Sequence, residues 1–361
     1  MTKNSELYIG IMSGTSLDGV DIALCEFEND SIALKAFESY TFDDELKQDI
    51  LRVINETTTL KEIGGVDDRL GRIYAKYIAR FLEKYNLNSN DIKAIGLHGQ
   101  TVWHEPSERF SMQLGNPNRV AYETGIAVVC DIRRMDMASG GQGAPFAPLF
   151  HKFLFGDLDK KNAVVNIGGM ANISILNDEL IGYDTGCGNV LLDGWCDKYF
   201  GLSYDKNGEI ARSGEINNEL LNLMLDDEYF KKSYPKSTGR EYFNLAWVKS
   251  KIIATIEPKD ILRTLTELTA KSIVNEAKKF DIDEIILCGG GVKNGFLVER
   301  IRDLFGKEVK LTSDHGVSED AIEAMMMAYF AYLRIHKIPA QLGSVTGAKE
   351  NLIAGGLYEA N

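Results

Sequence analysis

Residues 9–21 read Ile9-Gly-Ile-Met-Ser-Gly-Thr-Ser-Leu-Asp-Gly-Val-Asp21, a cluster of small, hydroxyl and acidic residues set between two apolar, strand-like runs. Gly14 and Gly19 permit backbone conformations that a side chain would forbid, so successive amides can converge on an anion. Thr15 and Ser16 add hydroxyl donors. Asp18 and Asp21 would repel a bare phosphate, and their presence makes sense when a divalent cation accompanies it, which points to a nucleotide. The segment from Gly14 through Thr15, Ser16, Leu17, Asp18, Gly19 and Val20 to Asp21 is therefore read as a phosphate loop, with Asp18 and Asp21 as the metal candidates. A tight hairpin whose Gly and Asp residues serve only the turn is the alternative.

Working outward, Tyr8 to Ile11, Val20 to Phe27 and Ile32 to Tyr40 read as successive strands joined at that loop. Helical segments follow near 43–55 and 66–85. The run Ile92 to Leu97 reads as a short buried strand delivering His98-Gly-Gln-Thr101 at its carboxyl end, where open α/β sheets hold ligands. The second half repeats the plan. Ala163 to Leu176 is again strand, glycine turn (Gly168, Gly169) and strand, and Ile181 to Gly186 adds a third strand carrying Asp184. A helix is expected near 260–280 from the spacing of Leu262, Leu265, Thr269, Ile273, Ala277 and Phe280. Glu284 to Gly291 then closes a helix-to-strand unit on Gly289, Gly290 and Gly291. Two glycine hairpins, each opening a β-rich half, imply an α/β chain built by duplication.

A chain of 361 residues can form two packed domains, and 44% hydrophobic with 26% charged residues is an ordinary globular composition. A net charge of −13 argues against nucleic-acid and anionic-membrane partners. The absence of a signal-like amino terminus or a membrane-length apolar run leads to the expectation of a cytoplasmic protein. Five cysteines without a Cys-x-x-Cys pair suggest neither a disulfide framework nor a zinc site.

The segments share a second property. Residues 9–21, His98-Gly-Gln-Thr101, Gln113-Leu-Gly-Asn116, Asp131-Ile-Arg133, Gly140-Gly-Gln-Gly-Ala-Pro145, Asn166-Ile-Gly-Gly-Met-Ala-Asn172, Asp184-Thr-Gly186 with Gly188-Asn189, and Pro235-Lys-Ser-Thr-Gly-Arg-Glu241 occur in this order along the chain. Together they resemble the anhydro-N-acetylmuramic acid kinases, a branch of the acetate kinase, sugar kinase, Hsp70 and actin superfamily. The resemblance implies two ribonuclease-H-like domains, expected over 1–132 with 345–361 and over 133–344, with an interdomain nucleotide cleft. It also implies ATP and Mg²⁺ as cofactors, an amino-sugar substrate and, by family analogy, a homodimer.

On that reading Gly168, Gly169 and Asn172 form the second phosphate hairpin, and Gly289, Gly290 and Gly291 let backbone approach the adenosine. Asp184 is the candidate base; an N-cap for the helix beginning near Asn189 is its structural alternative. The implied reaction has Asp184 activate water for attack at C1 of 1,6-anhydro-N-acetylmuramic acid while the departing O6 takes the γ-phosphoryl group, giving N-acetylmuramic acid 6-phosphate for peptidoglycan recycling. Arg133 would meet the lactyl carboxylate, with His98, Gln100, Thr101 and Asp131 as further sugar contacts. The family usually carries proline where this chain has Cys187. A kinase for another anhydrosugar such as levoglucosan, or a non-catalytic nucleotide-gated module, are the competing readings.

Overall fold

The computed structural model describes residues 5–14, 17–29, 31–156, 160–177, 179–349 and 351–360. Thr15 and Ser16, two of the predicted phosphate-loop residues, lie outside them. The chain divides into two compact units, residues 1–150 with 321–361 and residues 151–320.

In the first unit, β1 (Glu6–Ser13), β2 (Gly19–Glu28) and β3 (Ser31–Thr41) form an antiparallel meander. Helices α1 (Asp44–Ile54) and α2 (Leu60–Lys84) follow, the latter opened by a capping box in which Thr59 and Glu62 satisfy each other's backbone amides. Next come β4 (Ile92–Glu105), β5 (Phe110–Leu114), α3 (Pro117–Thr124), β6 (Val128–Cys130) and α4 (Ile132–Ala138). Strand β4 runs parallel to β1, and β6 parallel to β4. The sheet order is thus β3-β2-β1-β4-β6, closed at its edge by an antiparallel strand at Gly356–Tyr358, while β5 pairs with β4 outside this path. Apolar residues of β1, β2, β4 and α2, among them Ile9, Ile22, Leu97, Leu70, Tyr74 and Ile78, make one core.

The helix Ile322–Ile335 packs against β1 and β4 and buries Met325, Met326 and Met327. Its approach depends on glycine. A Cβ at Gly10 would stand 1.8 Å from the Ala324 carbonyl oxygen, and one at Gly96 1.9 Å from that of Met327.

In the second unit, β7 (Asn162–Ile167), β8 (Met170–Leu176) and β9 (Leu180–Cys187) repeat the antiparallel meander. Strands β10 (Glu284–Cys288) and β11 (Glu308–Leu311) add the two parallel members. Its order, β9-β8-β7-β10-β11, is that of the first sheet element for element, with the same strand directions. This is the duplication expected from the two glycine hairpins, in the ribonuclease-H-like form that the family resemblance implied. The helix Pro258–Ala277 is buried along most of its length, against β8 and β9 among other elements.

The unit boundaries differ from those drawn on the sequence at 132 and 344. Residues 133–150 stay with the first unit because the Asp136 carboxylate and the Gln142 amide bond to the hydroxyl and carbonyl of Thr346. Residues 321–344 do so because the Met-rich helix covers the first sheet.

Candidate active site

Each unit gathers predicted residues at the end of its first hairpin, and each is described by itself.

In the first unit, the turn between β1 and β2 is held from beneath. Gln100 is fully buried; its Nε2 donates to the Gly14 carbonyl at 3.1 Å and its Oε1 accepts from Ser13 Oγ at 2.5 Å. Both ends of the amide of this residue, one of the expected sugar contacts, are thus engaged by the first turn. Leu17, with φ 60°, and Val20 turn their side chains into the core. Gly19 is demanded by packing: a Cβ there would lie 1.9 Å from the Tyr40 carbonyl oxygen. Asp18 is exposed at the turn, whereas Asp21 accepts a hydrogen bond from Ser39 Oγ on β3.

His98 to Thr101 do not end their strand, as expected; β4 continues to Glu105. The four residues mark the point where pairing to β1 stops at Gln100 and pairing to β5 begins, and Gly99 bends the strand with φ +76°. His98 is buried. Its Nδ1 bonds the Gly99 carbonyl and its Nε2 accepts from Arg133 Nε at 3.1 Å, so desolvation and the neighbouring guanidinium bring its pKa down to about 3 and keep it neutral. Arg133, lowered by burial to about 10 and still cationic near neutrality, spends Nη1 on the Gly143 carbonyl. Neither bond uses Nη2. Thr101 Oγ1 accepts from Gln113.

Asp131 is not in this group. It accepts from the Tyr358 hydroxyl at 2.7 Å, pairs with Arg134 at 3.3 Å, and helps line a cavity of about 270 Å³ to which neither His98 nor Arg133 contributes. Sequence reasoning passed over Asp136, fully buried and bonded to the Gly143 amide and the Thr346 hydroxyl, which fastens the Gly140-Gly-Gln-Gly143 loop beside Arg133. An acid one helical turn after Arg133 and next to four loop residues rich in glycine was the available signal.

In the second unit, the hairpin tip caps a helix. The amides of Gly188, Asn189 and Val190, at the start of α5 (Val190–Phe200), donate to the carbonyls of Gly168 and Gly169. Yet neither hairpin glycine is required by the protein's packing: a Cβ at Gly168 meets nothing closer than 3.4 Å and one at Gly169 nothing closer than 3.8 Å. The three later glycines divide. Gly289, at φ +81°, and Gly291 press against Asn166 and Ile167, while a Cβ at Gly290 meets nothing within 4 Å. Side-chain space at 168, 169 and 290 is therefore left clear, as a nucleotide in contact with backbone would need.

Asn172 and Asp184 are cross-strand partners on β8 and β9, and Asn166 faces Asn172 from β7. Between the pairs Ala171 with Gly186 and Asn172 with Asp184, Thr185 is an extra residue, so Asp184 stands on a β-bulge. Such bulges re-aim side chains. Its carboxylate accepts from the Thr238 amide at 3.0 Å and from none of the α5 amides, which disposes of the N-cap alternative. Burial raises its pKa to about 6, with the Thr238 bond opposing. The Thr238 hydroxyl is buried without a protein partner among the described residues. Asp193 is half-buried and likewise raised to about 6, opposed by Arg240. Cys187 is buried beside Thr269, its sulfur turned into the core.

Among the described residues no three His, Cys, Asp or Glu side chains cluster as a metal cage, and no helix is long and apolar enough to cross a membrane.

A family model described as anhydro-N-acetylmuramic acid kinase matches residues 6–360. Among similar proteins, an anhydro-N-acetylmuramic acid kinase of Sulfurimonas denitrificans is 52% identical, covering 98% of this chain and 100% of that one. One from a Sulfurovum species is 52% identical over 98% and 99% of the two chains, and one from Pasteurella multocida 46% identical over 99% and 98%.

Proposed function

Because this chain belongs to the anhydro-N-acetylmuramic acid kinase family, we propose that it hydrolytically opens the 1,6-anhydro ring of 1,6-anhydro-N-acetylmuramic acid and phosphorylates O6 at the expense of ATP. The products are N-acetylmuramic acid 6-phosphate and ADP, and the setting is peptidoglycan recycling in the cytoplasm, where ATP is supplied. The observation that carries the reading is Asp184: a mostly buried carboxylate set on a bulge beside a glycine hairpin, its pKa raised towards neutrality.

Asp184 removes a proton from water, whose oxygen bonds to C1 as the C1–O6 bond breaks; the freed O6 bonds to the γ-phosphorus as the bond from that phosphorus to the β,γ-bridging oxygen breaks, releasing ADP. Activation of water against an anomeric carbon by a carboxylate is the logic of inverting glycosidases. A base with a pKa near 6 is mostly ionised at pH 7 yet more basic than an ordinary aspartate. The Thr238 amide holds one carboxylate oxygen and leaves the other for water.

Gly168, Gly169 and Gly290 give backbone access to the nucleotide, and in the first unit Gln100 braces the phosphate loop at Gly14. Asp18, exposed at the first turn, is the better placed of the two metal candidates, since Asp21 is engaged by Ser39. Mg²⁺ bound there with the phosphates would offset the charge of phosphoryl transfer. Arg133, oriented by neutral His98, offers Nη2 to the lactyl carboxylate.

The test is incubation with ATP, Mg²⁺ and the anhydrosugar in ¹⁸O-water, followed by mass spectrometry. A 6-phosphosugar carrying one solvent oxygen at C1 is expected. Faster turnover of levoglucosan, which has no lactyl group, would reassign the substrate.

A further inference from the structure

The segment 229–241, which includes Pro235-Lys-Ser-Thr-Gly-Arg-Glu241, surrounds Asp184 on its backbone as well as its side chain. The Asp184 amide donates to the Lys236 carbonyl at 3.1 Å, the Asp184 carbonyl accepts from the Tyr229 hydroxyl at 2.7 Å, and the Thr238 amide donates to the carboxylate at 3.0 Å. The candidate base is thus fixed by three bonds to one segment.

That segment is itself tied down at one buried point. Lys236 Nζ donates to Glu276 Oε1 at 2.7 Å, with side-chain exposures of 2% and 5%. Glu276 lies on the helix Pro258–Ala277, and its other oxygen accepts from Tyr183 at 3.0 Å and Lys279 at 2.6 Å. The Lys236 ammonium also stands 4.9 Å from the centre of the Tyr229 ring, whose hydroxyl holds Asp184. A buried ion pair is a costly way to gain stability, because both charges lose their hydration; its best-attested use is to specify one arrangement over others. Here the arrangement specified is that of the strap around Asp184.

We propose that Lys236 and Glu276 are positioning residues for the reaction, their buried ion pair locking residues 229–241 onto the long helix so that the Thr238 amide meets the Asp184 carboxylate. The proposal rests on the assignment of Asp184 as the base. Breaking the lock loosens the Thr238 bond, which favours the ionised carboxylate, so Asp184 titrates higher and less of it is ionised at a given pH. The titratable groups about Tyr229, whose hydroxyl holds Asp184, are Asp184 itself, Glu276 of the helix and Cys187, with the Lys236 ammonium over its ring. None is a candidate metal ligand.

The experiment compares wild type, Lys236→Met/Glu276→Gln and Asp184→Asn in the full chain. The double substitution removes both charges together, so that neither is left buried alone. For the folded double variant, kcat is expected to fall at least tenfold, KM for ATP to stay within twofold, and the acid limb of kcat against pH to move up by at least half a pH unit. A merely structural role would reduce the amount of folded protein and leave the limb in place. A folded double variant whose acid limb coincides with that of wild type, while Asp184→Asn is inactive, overturns the positioning role alone. An active Asp184→Asn overturns the assignment of the base. Should that variant not fold, Lys236→Gln/Glu276→Gln, which also removes both charges but leaves two side chains able to hydrogen-bond, gives the same readout with a smaller shift in the same direction.

Discussion

The two glycine hairpins occupy the same place in two sheets of identical strand order, yet their glycines answer different demands. In the first hairpin Gly19 is imposed from inside, by the Tyr40 carbonyl, and the turn is braced by Gln100. In the second, Gly168 and Gly169 have room for a side chain, and the tip instead receives the first amides of α5. A glycine motif therefore has to be read one residue at a time. A position the fold does not need filled by glycine is the one whose openness a ligand can use.

The largest expected effect separates the halves chemically. Asp184→Asn keeps the shape of the side chain but cannot take a proton from water, so kcat should fall by about 10²–10⁴-fold with ATP affinity largely kept. More than about a tenth of wild-type kcat would remove Asp184 from the base role.

Next, Gly19→Ala should lower stability by about 1–3 kcal/mol, because the added methyl overlaps a backbone carbonyl rather than a flexible side chain. Gly169→Val should leave thermal unfolding within a degree or so of wild type while weakening ATP binding by about tenfold, roughly 1.4 kcal/mol. Melting curves and calorimetry on the two variants test the contrast. If Gly169→Val also melts early and binds ATP normally, the second hairpin is only a turn.

The smallest effects are those of pH. With its pKa raised to about 6, Asp184 should give kcat/KM an acid limb near that value, roughly tenfold below the plateau at pH 5. The stability sign runs the other way. A carboxyl whose folded pKa is raised favours folding below its unfolded pKa, and that contribution is lost as pH rises through about 6. Asp184→Asn should therefore melt above wild type at pH 8 and by a smaller margin at pH 5.

Much of this protein was already decided by its sequence. Strand periods and glycine turns specified two β-rich halves, the helical spacing from Leu262 onwards placed the long helix, and the ordered motifs identified the family, because each depends on neighbours within a few residues. The tertiary structure alone decided what those residues face. Gln100 and Leu17 turn inward, Asp131 parts from Arg133, and Lys236 reaches Glu276 forty residues along the chain. It also placed the bulge at Thr185 that aims Asp184, and it kept residues 133–150 and 321–344 with the first sheet. These outcomes depend on strand register and on packing between distant segments, whose energies arise only when the partners meet.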